Sequence, residues 1–314
     1  MVFREILISI FYVNMLATKD LYMKACMQSK DLHVMTGEER QKLQAHLRQM
    51  YLEIEKICDR HKLRMMVGYG SVLGAIRHQG FIPWDDDIDL LMPRKDYDLF
   101  INEYAEELPD CFKVYAPNSK NGPICRFAKV VDTSTRFLGP GQQDCETHGM
   151  FIDIFPLEYA PQNKFILSVR NHYTRFLILI AECVISFEQN NKFYEKLMCS
   201  TFVGKVTYGI RYLIGWLFHF RKGIDWYNRI SRYEYYKKET GLYNIPSDGG
   251  LKRSLVPLSE DLYFPTKKVK FDEIEVYVPN QSIKYLEHNY GDWKWIPPVE
   301  DRWQHFIQEI RFPY

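Results

Sequence analysis

The sequence predicts an α+β fold in which a mixed sheet is flanked by helices and interrupted by a long helical insertion. Up to about residue 160, short apolar segments alternate with segments whose apolar residues recur every three or four positions. That mixture is typical of strands and helices that share one core. From residue 164 to about 221 the chain is apolar and aromatic and shows only helical spacing. With 314 residues, 46% of them hydrophobic, the chain is long enough for one large domain or two modest ones.

The expected elements follow from local signals taken in chain order. Thr36 and Glu39 form a capping box, and the apolar residues of 43–57 recur at helical spacing, so a helix begins at Thr36. Further helices are expected at 71–77, opened by a turn at Gly70-Ser71, and at 95–108. Strands are expected at 64–68, at 88–92 (ended by Pro93), and at 112–115, 124–131 and 150–155. Two or three helices over 164–221, a strand pair at 269–278 and a helix at 282–290 closed by Gly291 complete the chain.

These elements divide the chain into four regions. We expect an N-terminal lead segment (1–35), a mixed-sheet core (36–160), a helical region (161–250) and a C-terminal segment that packs back on the core (251–314). The apolar stretch at 3–15 is too short to span a bilayer, and no other uncharged segment is long enough. A soluble or peripheral protein is therefore expected.

Charge and cysteine content exclude several classes of protein. The 41 basic and 40 acidic residues give no basic excess, which argues against a nucleic-acid-binding protein. The seven cysteines form no Cys-x-x-Cys pair, which argues against a disulfide framework and a thiolate zinc site. Such cysteine usage fits a reducing cytoplasm.

The most informative motif is the acidic run that precedes the strand at 88–92. Asp85, Asp86, Asp87 and Asp89 lie within five positions and lead directly into apolar residues. On an extended chain Asp85, Asp87 and Asp89 share one face, while Asp86 faces the other side and is expected to be structural. A row of carboxylates repels itself unless a cation neutralises it, and oxygen-only ligands suit Mg²⁺ or Mn²⁺.

Three elements predict one site for phosphoryl transfer. The Gly70-Ser71 turn at a helix start offers backbone N–H groups to phosphate oxygens, although Ser71 is also explained as a simple N-cap. Asp87 and Asp89 come from one strand, and Asp153 lies among apolar residues of another. Three carboxylates from neighbouring strands are suited to hold one or two Mg²⁺ ions against a phosphate chain.

The runs that carry this motif resemble the LicD family, which includes phosphocholine transferases of bacterial surface glycans and is related to the fukutin-related proteins. The matching runs are GSVLGAIRH at 70–78, GFIPWDDDID at 80–89, PRKDY at 93–97, FAKV at 127–130, GMFIDIFPL at 149–157, VYVP at 276–279 and YLEHNYGDW at 285–293. The resemblance extends from about residue 60 to the C-terminus. It implies a nucleotidyltransferase-like catalytic core at 36–160, in which Asp87, Asp89 and Asp153 match the three acids of that fold.

The resemblance also implies the reaction. A phospho-substituent would move from a CDP-activated donor to a hydroxyl of a cell-surface glycan or its lipid-linked precursor, with release of CMP. CDP-choline is the expected donor, and CDP-linked aminoethylphosphonate, glycerol phosphate or ribitol phosphate are alternatives. A true nucleotidyltransferase that releases pyrophosphate, and a non-catalytic binding subunit of a glycan-assembly complex, are the competing hypotheses. The expected location is the cytoplasm, at the inner face of the membrane if the acceptor is lipid-linked.

Several further residues are candidates for ligand contact, each with a structural alternative. Arg77 and Lys129 are the cations expected on the donor phosphates, although surface arginines and lysines often have no such role. Asp85 suits a metal site or a loop, and Asp153 suits metal ligation or general-base catalysis. Weaker candidates for the walls of the pocket are His78, Trp84, Trp293, Arg302 and His305, of which the tryptophans could enclose a quaternary ammonium group.

The segment 203–222 combines aromatic and basic residues. Peripheral contact with a membrane is one interpretation. Packing on its own domain is the interpretation the sequence favours, because apolar residues surround much of the helix.

Overall fold

The computed structural model describes residues 22–119, 121–142, 147–247, 251–299, 302 and 306–313. Its helices are α1 (22–28), α2 (Gly37–His61), α3 (Tyr69–His78), α4 (Arg94–Leu99), α5 (Lys164–Gln189), α6 (Lys192–Met198), α7 (Phe202–Phe218), α8 (Gly223–Glu234), α9 (Leu251–Ser254), α10 (Glu260–Tyr263) and α11 (Ser282–Tyr290). Its strands are β1 (His33–Val34), β2 (Met66–Val67), β3 (Asp89–Pro93), β4 (Phe112–Tyr115), β5 (Ala128–Asp132), β6 (Arg136–Leu138), β7 (Met150–Tyr159), β8 (Leu242–Asn244), β9 (Leu258–Ser259), β10 (Lys267–Phe271), β11 (Ile274–Val278), β12 (Phe306–Ile307) and β13 (Glu309–Arg311).

A mixed sheet forms the centre of the molecule, in the order β2-β3-β7-β5-β4, with β8 and β9 added at the end of β7. Strands β3 and β7 are parallel, whereas β2 pairs with β3, and β5 pairs with both β7 and β4, in the antiparallel sense. Helices flank this sheet, so the expected α+β class is confirmed.

Helix α2 begins as its capping box predicts. The Glu39 amide donates to the Thr36 hydroxyl at 3.2 Å, and the Thr36 amide donates to the Glu39 carboxylate at 2.9 Å. Its apolar stripe, which includes Leu43, Leu47 and Met50, is buried in the main core. The predicted strand pair β10–β11 and helix α11, which ends at Gly291, are also present.

Several predicted boundaries differ from the structure, and two of these differences lie beside the acids. Helix α3 begins at Tyr69 with Gly68 as its N-cap, so Ser71 lies inside the first turn and is not the cap. The reason is that the Gly68 carbonyl already accepts the amide of Val72, which closes the first helical turn. The strand predicted to begin at residue 88 begins at Asp89, and residues 85–88 lie outside any strand.

The helical region has its own packing. Helices α5, α6 and α7 account for the two or three helices expected over 164–221, and α8 follows them. Apolar residues of α5 and α8 form a second core, separate from the main core that joins α2, the sheet, α3 and the C-terminal elements β10, β11 and α11. Among the described residues, no helix has the length and the hydropathy needed to cross a bilayer.

Candidate active site

The register of three strands places two predicted acids and one predicted cation side by side. Asp89 on β3 lies opposite Asp153 on β7, and Lys129 on β5 lies opposite Asp153 from the other side. Residues directly opposite each other in a sheet project from the same face. Asp89, Asp153 and Lys129 therefore form a row across the sheet.

Lys129 is oriented towards an acid of this row. Its ammonium group forms an ion pair with the Asp153 carboxylate, and it lies 3.7 Å from the centroid of the Phe151 ring. Both side chains of the pair are largely buried, with 20% and 16% exposure. The sequence assigned Lys129 to the donor phosphates; here its charge compensates Asp153 and is held over an aromatic face.

The acids influence each other strongly. Burial, and then the negative charges of Asp87, Asp153 and Asp85, raise the pKa of Asp89 well above its usual range, while Lys129 acts in the opposite direction. Asp85 and Asp87 have carboxylate oxygens within 4.8 Å of each other, Asp89 lies opposite Asp153, and Asp87 and Asp153 line one cavity. The structure therefore brings these four side chains together, and their role as metal ligands stays a prediction.

Asp86 belongs to the same group, contrary to the alternation argument. One carboxylate oxygen from each of Asp85, Asp86 and Asp87 lies within 4.8 Å of the other two. Asp86 is only 8% exposed, and it lines a small cavity of about 90 Å³ together with Asp87, Phe151 and Asp153. The alternation of faces did not apply because residues 85–88 are not part of a paired strand.

The first turn of helix α3 contacts two of the acids, Asp85 and Asp89. The Ser71 hydroxyl is 4% exposed and accepts the amide of Asp89 at 3.1 Å, which fixes the start of β3. A Cβ atom on Gly70 would lie 3.0 Å from the Asp85 carboxylate, so glycine leaves room for this acid at the first turn of the helix. The role predicted for Gly70 and Ser71 in phosphate binding stays a prediction.

The remaining candidates form a second group around the C-terminal segment. The Arg77 guanidinium donates to the main-chain carbonyls of Trp293 and Trp295, both at 2.9 Å, and also to the imidazole of His78. Burial lowers the pKa of Arg77, and burial followed by the Arg77 charge lowers the pKa of His78. Arg77 thus holds the tail against α3, which differs from the phosphate contact expected for it.

Trp84 connects this group to the acids through its neighbour Asp85. The Arg302 guanidinium carbon lies 4.1 Å from the centroid of the Trp84 ring, and His78 meets the same indole edge to face at 6.4 Å. One face of the indole therefore already carries a cation, which limits its use as a cage for a quaternary ammonium group. His305 lies outside the described residues.

Sequence reasoning did not single out Tyr290, on which the acids act electrostatically, or Arg253, whose charge acts on Tyr290. Burial raises the pKa of Tyr290, and the charge of Arg253 lowers it. The charges of Asp85, Asp89 and Asp87 raise it further, so these acids act on the Tyr290 phenol. The Arg253 guanidinium lies 5.6 Å from the centroid of the Tyr69 ring at the start of α3. Tyr290 lies inside the C-terminal run that carried the resemblance; no local pattern marks Arg253.

The donor set fits a hard divalent cation. The converging groups are carboxylates, which suit Mg²⁺ or Mn²⁺, and three of them have oxygens within 4.8 Å of one another. Asp85, Asp86 and Asp87 supply the closest set of oxygens, and Asp89 and Asp153 lie beside them on the sheet.

Comparison with known proteins agrees with the family resemblance. Residues 62–176 match the family model described as LicD/FKTN/FKRP, nucleotidyltransferase domain. The chain is 25% identical over 265 residues to the lipopolysaccharide cholinephosphotransferase LicD of Haemophilus influenzae, covering 81% of this chain and 90% of that protein. It is also 34% identical over 50 residues to uncharacterised proteins of Rickettsia prowazekii and Rickettsia typhi, covering 16% of this chain and 19% and 16% of those proteins.

Proposed function

The chain belongs to the LicD family, and from this premise we propose that it transfers a phosphocholine-type substituent to a hydroxyl of a cell-surface glycan or its lipid-linked precursor. The donor in this proposal is CDP-activated, and the nucleotide product is CMP. CDP-choline is the first choice because the Haemophilus influenzae relative is named a lipopolysaccharide cholinephosphotransferase. The proposal includes a nucleotidyltransferase-like fold for the core.

One observation carries the proposal: the carboxylates of 85–89 and of β7 converge within the segment that matches the family model. Clustered, partly buried carboxylates lower the stability of the folded state, and a bound cation offsets that cost. A binding subunit without catalysis would have no use for this arrangement, which favours an enzyme.

Each residue has a defined part in the proposed reaction. Asp87, Asp89 and Asp153 would hold Mg²⁺ or Mn²⁺, with Asp85 and Asp86 beside them; the cation, when bound, would neutralise charge on the diphosphate. The acceptor oxygen forms a bond to the phosphorus that carries the transferred group, and the bond from that phosphorus to the oxygen of CMP breaks.

The proton of the acceptor hydroxyl must leave as this oxygen attacks. We assign the role of receiving this proton to Asp153, as the alternative to metal ligation, because its carboxylate lies opposite Asp89 on the same face of the sheet and is ion-paired with Lys129. Arg253, close to Tyr290 and to the start of α3, is better placed to face the donor than Arg77, which is engaged with the tail.

The test is a donor screen with product analysis. Purified protein is incubated with Mg²⁺ and a glycan acceptor, together with each CDP-linked donor or with CTP, and both CMP and pyrophosphate are measured. Release of CMP only with acceptor and with one donor supports the proposal, whereas release of pyrophosphate from CTP would assign a true nucleotidyltransferase. Asp87→Asn and Asp89→Asn should abolish turnover while the far-ultraviolet circular dichroism is unchanged, and the exposed Asp110→Asn serves as the matched control.

A further inference from the structure

Helix α7 is packed on one side only. Gly204, Thr207, Tyr208 and Gly215 are buried, and they recur at helical spacing along a single face. Gly215 fits closely against α5, since a Cβ atom there would lie 2.4 Å from the carbonyl oxygen of Cys183. The helix therefore has a fixed orientation on the helical region.

The opposite face of α7 is apolar and exposed. Six large apolar residues on it follow each other at intervals of one, three or four positions, which places them on one side of a helix. They are Phe202, Val203, Val206, Ile210, Leu213 and Leu217, with exposed fractions between 47% and 81%. Trp216 at the edge of this face and Phe220 just beyond the helix are also exposed, at 53% and 73%. The sequence favoured a helix packed on its own domain. That interpretation accounts for the buried face of α7 and does not account for the exposed apolar face.

The charged residues of the segment that carries this face all have the same sign. Residues 196–224 contain no Asp or Glu but include five Lys or Arg residues. Lys205, Arg221 and Lys222 are exposed, and Arg211 is held inside against Glu182. An apolar face bordered by exposed cations, with no anion in the segment, is complementary to an anionic surface.

A second copy of the chain does not fit this surface. Pairing α7 with its own copy would bring Lys205, Arg221 and Lys222 of two chains together without any compensating acid from this segment, and like charges across an interface are unfavourable. A bilayer with anionic head groups satisfies both features, because it takes up apolar side chains and attracts Lys and Arg.

We propose that α7 and the following residues 219–222 form an interfacial helix that docks the protein on an anionic lipid bilayer. The helix lies in the plane of the membrane surface, with Phe202, Leu213 and Leu217 inserted below the head groups and Lys205, Arg221 and Lys222 among the phosphates. Helix α5 exposes a second apolar stripe of the same kind at its N-terminal half, which includes Phe165, Val169 and Phe176. This inference concerns binding and stands independently of the proposed reaction.

The experiment is co-sedimentation of the full chain with vesicles of phosphatidylglycerol and phosphatidylcholine, compared with vesicles of phosphatidylcholine alone. We expect binding to the anionic vesicles that weakens as ionic strength rises. Leu213→Glu/Leu217→Glu should lower the partition coefficient by about tenfold or more. Arg221→Glu/Lys222→Glu should remove the preference for anionic vesicles. Leu99→Glu, an exposed apolar residue on α4, is the matched control and should bind as the unaltered chain does.

A second measurement does not depend on a disruptive variant. Brominated lipids should quench part of the tryptophan fluorescence of the unaltered chain, and Trp216→Phe should remove that part. Three results would overturn the proposal: no binding to either kind of vesicle, equal binding by Leu213→Glu/Leu217→Glu, or a stable dimer in light scattering that the same double variant dissociates.

Discussion

The acidic cluster should make the folded protein less stable in the absence of a divalent cation than it would be with fewer acids. The perturbation that tests this is Asp87→Asn, which keeps the shape of the side chain and removes one charge. Oxygens of Asp85, Asp86 and Asp87 lie within 4.8 Å of one another, so Asp87 takes part in two repulsive pairs.

The magnitude follows from that separation. Two unit charges 4.8 Å apart repel by about 3.5 kcal/mol at an effective dielectric constant of about 20, and by about 0.9 kcal/mol in bulk water. Because Asp85 and Asp87 are only half-buried, the lower part of this range applies to each pair. We expect Asp87→Asn to raise the free energy of unfolding by about 2 kcal/mol at pH 8 without divalent cations.

Cation binding should reverse the order of stability. A ligand at about 100 times its Kd stabilises the folded state by about 2.7 kcal/mol, and about 1 kcal/mol corresponds to about 2–4 °C in Tm for a large domain. Saturating Mg²⁺ should therefore raise the Tm of the unaltered chain by about 5–10 °C. Asp87→Asn should lose most of that shift, and Asp110→Asn should keep it.

The assay is differential scanning calorimetry of the three proteins with EDTA and with Mg²⁺ or Mn²⁺. The reasoning would be refuted if Asp87→Asn were strongly destabilised with EDTA and the Mg²⁺ shift were the same in all three proteins. That result would mean that the acids are held by hydrogen bonds as a structural turn and that no cation site exists there.

Two other perturbations test the helical region and the C-terminal segment. Burial, followed by the charge of Glu158, raises the pKa of Glu234 to about 8, above its ordinary value of 4.5. Between these two pH values the native state binds more protons than the unfolded state. The free energy of unfolding should therefore fall as pH rises from about 4.5 to 8. Urea unfolding at several pH values should show that Glu234→Gln removes part of this decline, up to about 1.4 kcal/mol per pH unit, and an unchanged slope would contradict it. Arg77→Gln should cost about 1–3 kcal/mol in urea unfolding, because it removes hydrogen bonds to the carbonyls of Trp293 and Trp295. Hydrogen exchange should increase at residues 293–296, and an unaltered exchange rate there would show that Arg77 does not hold the tail.

Local signals predicted the elements that carry the acids. The capping box at Thr36, the apolar residues after Asp89 and those around Asp153 depend on neighbours in sequence, and the corresponding helix and strands are present. The convergence of Asp87, Asp89 and Asp153 was also expected, first because acids among apolar residues predicted neighbouring strands, and then from the family resemblance.

The partners of the cations were not predictable in this way. Lys129 meets Asp153 because β5 and β7 are antiparallel in a particular register, and register is a property of the assembled sheet. Arg77 binds carbonyl groups 216 and 218 positions further along the chain. The sequence shows that Arg77 is near the end of a helix. It does not show which distant main-chain carbonyls will accept hydrogen bonds from this arginine.

The environment of Asp86 shows the limit of period-two reasoning. Alternation assigns faces only where backbone hydrogen bonds hold a strand in its pleat, and the pairing of β3 begins after this residue. Before that point the chain is free to bring consecutive carboxylates together, which Asp85, Asp86 and Asp87 do.

The balance of charge links these observations to the proposed reaction. Asp85, Asp86 and Asp87 have oxygens close to one another, Asp89 lies beside Asp153 on the sheet, and Asp153 forms an ion pair with Lys129. The diphosphate of a CDP-linked donor is itself anionic, so these side chains alone would repel it. Arg253, whose guanidinium lies 5.6 Å from the centroid of the Tyr69 ring at the start of α3, is a further cation that the proposal directs at the donor. We propose that a divalent cation lies between the donor and the acids, because it would offset the negative charge of both.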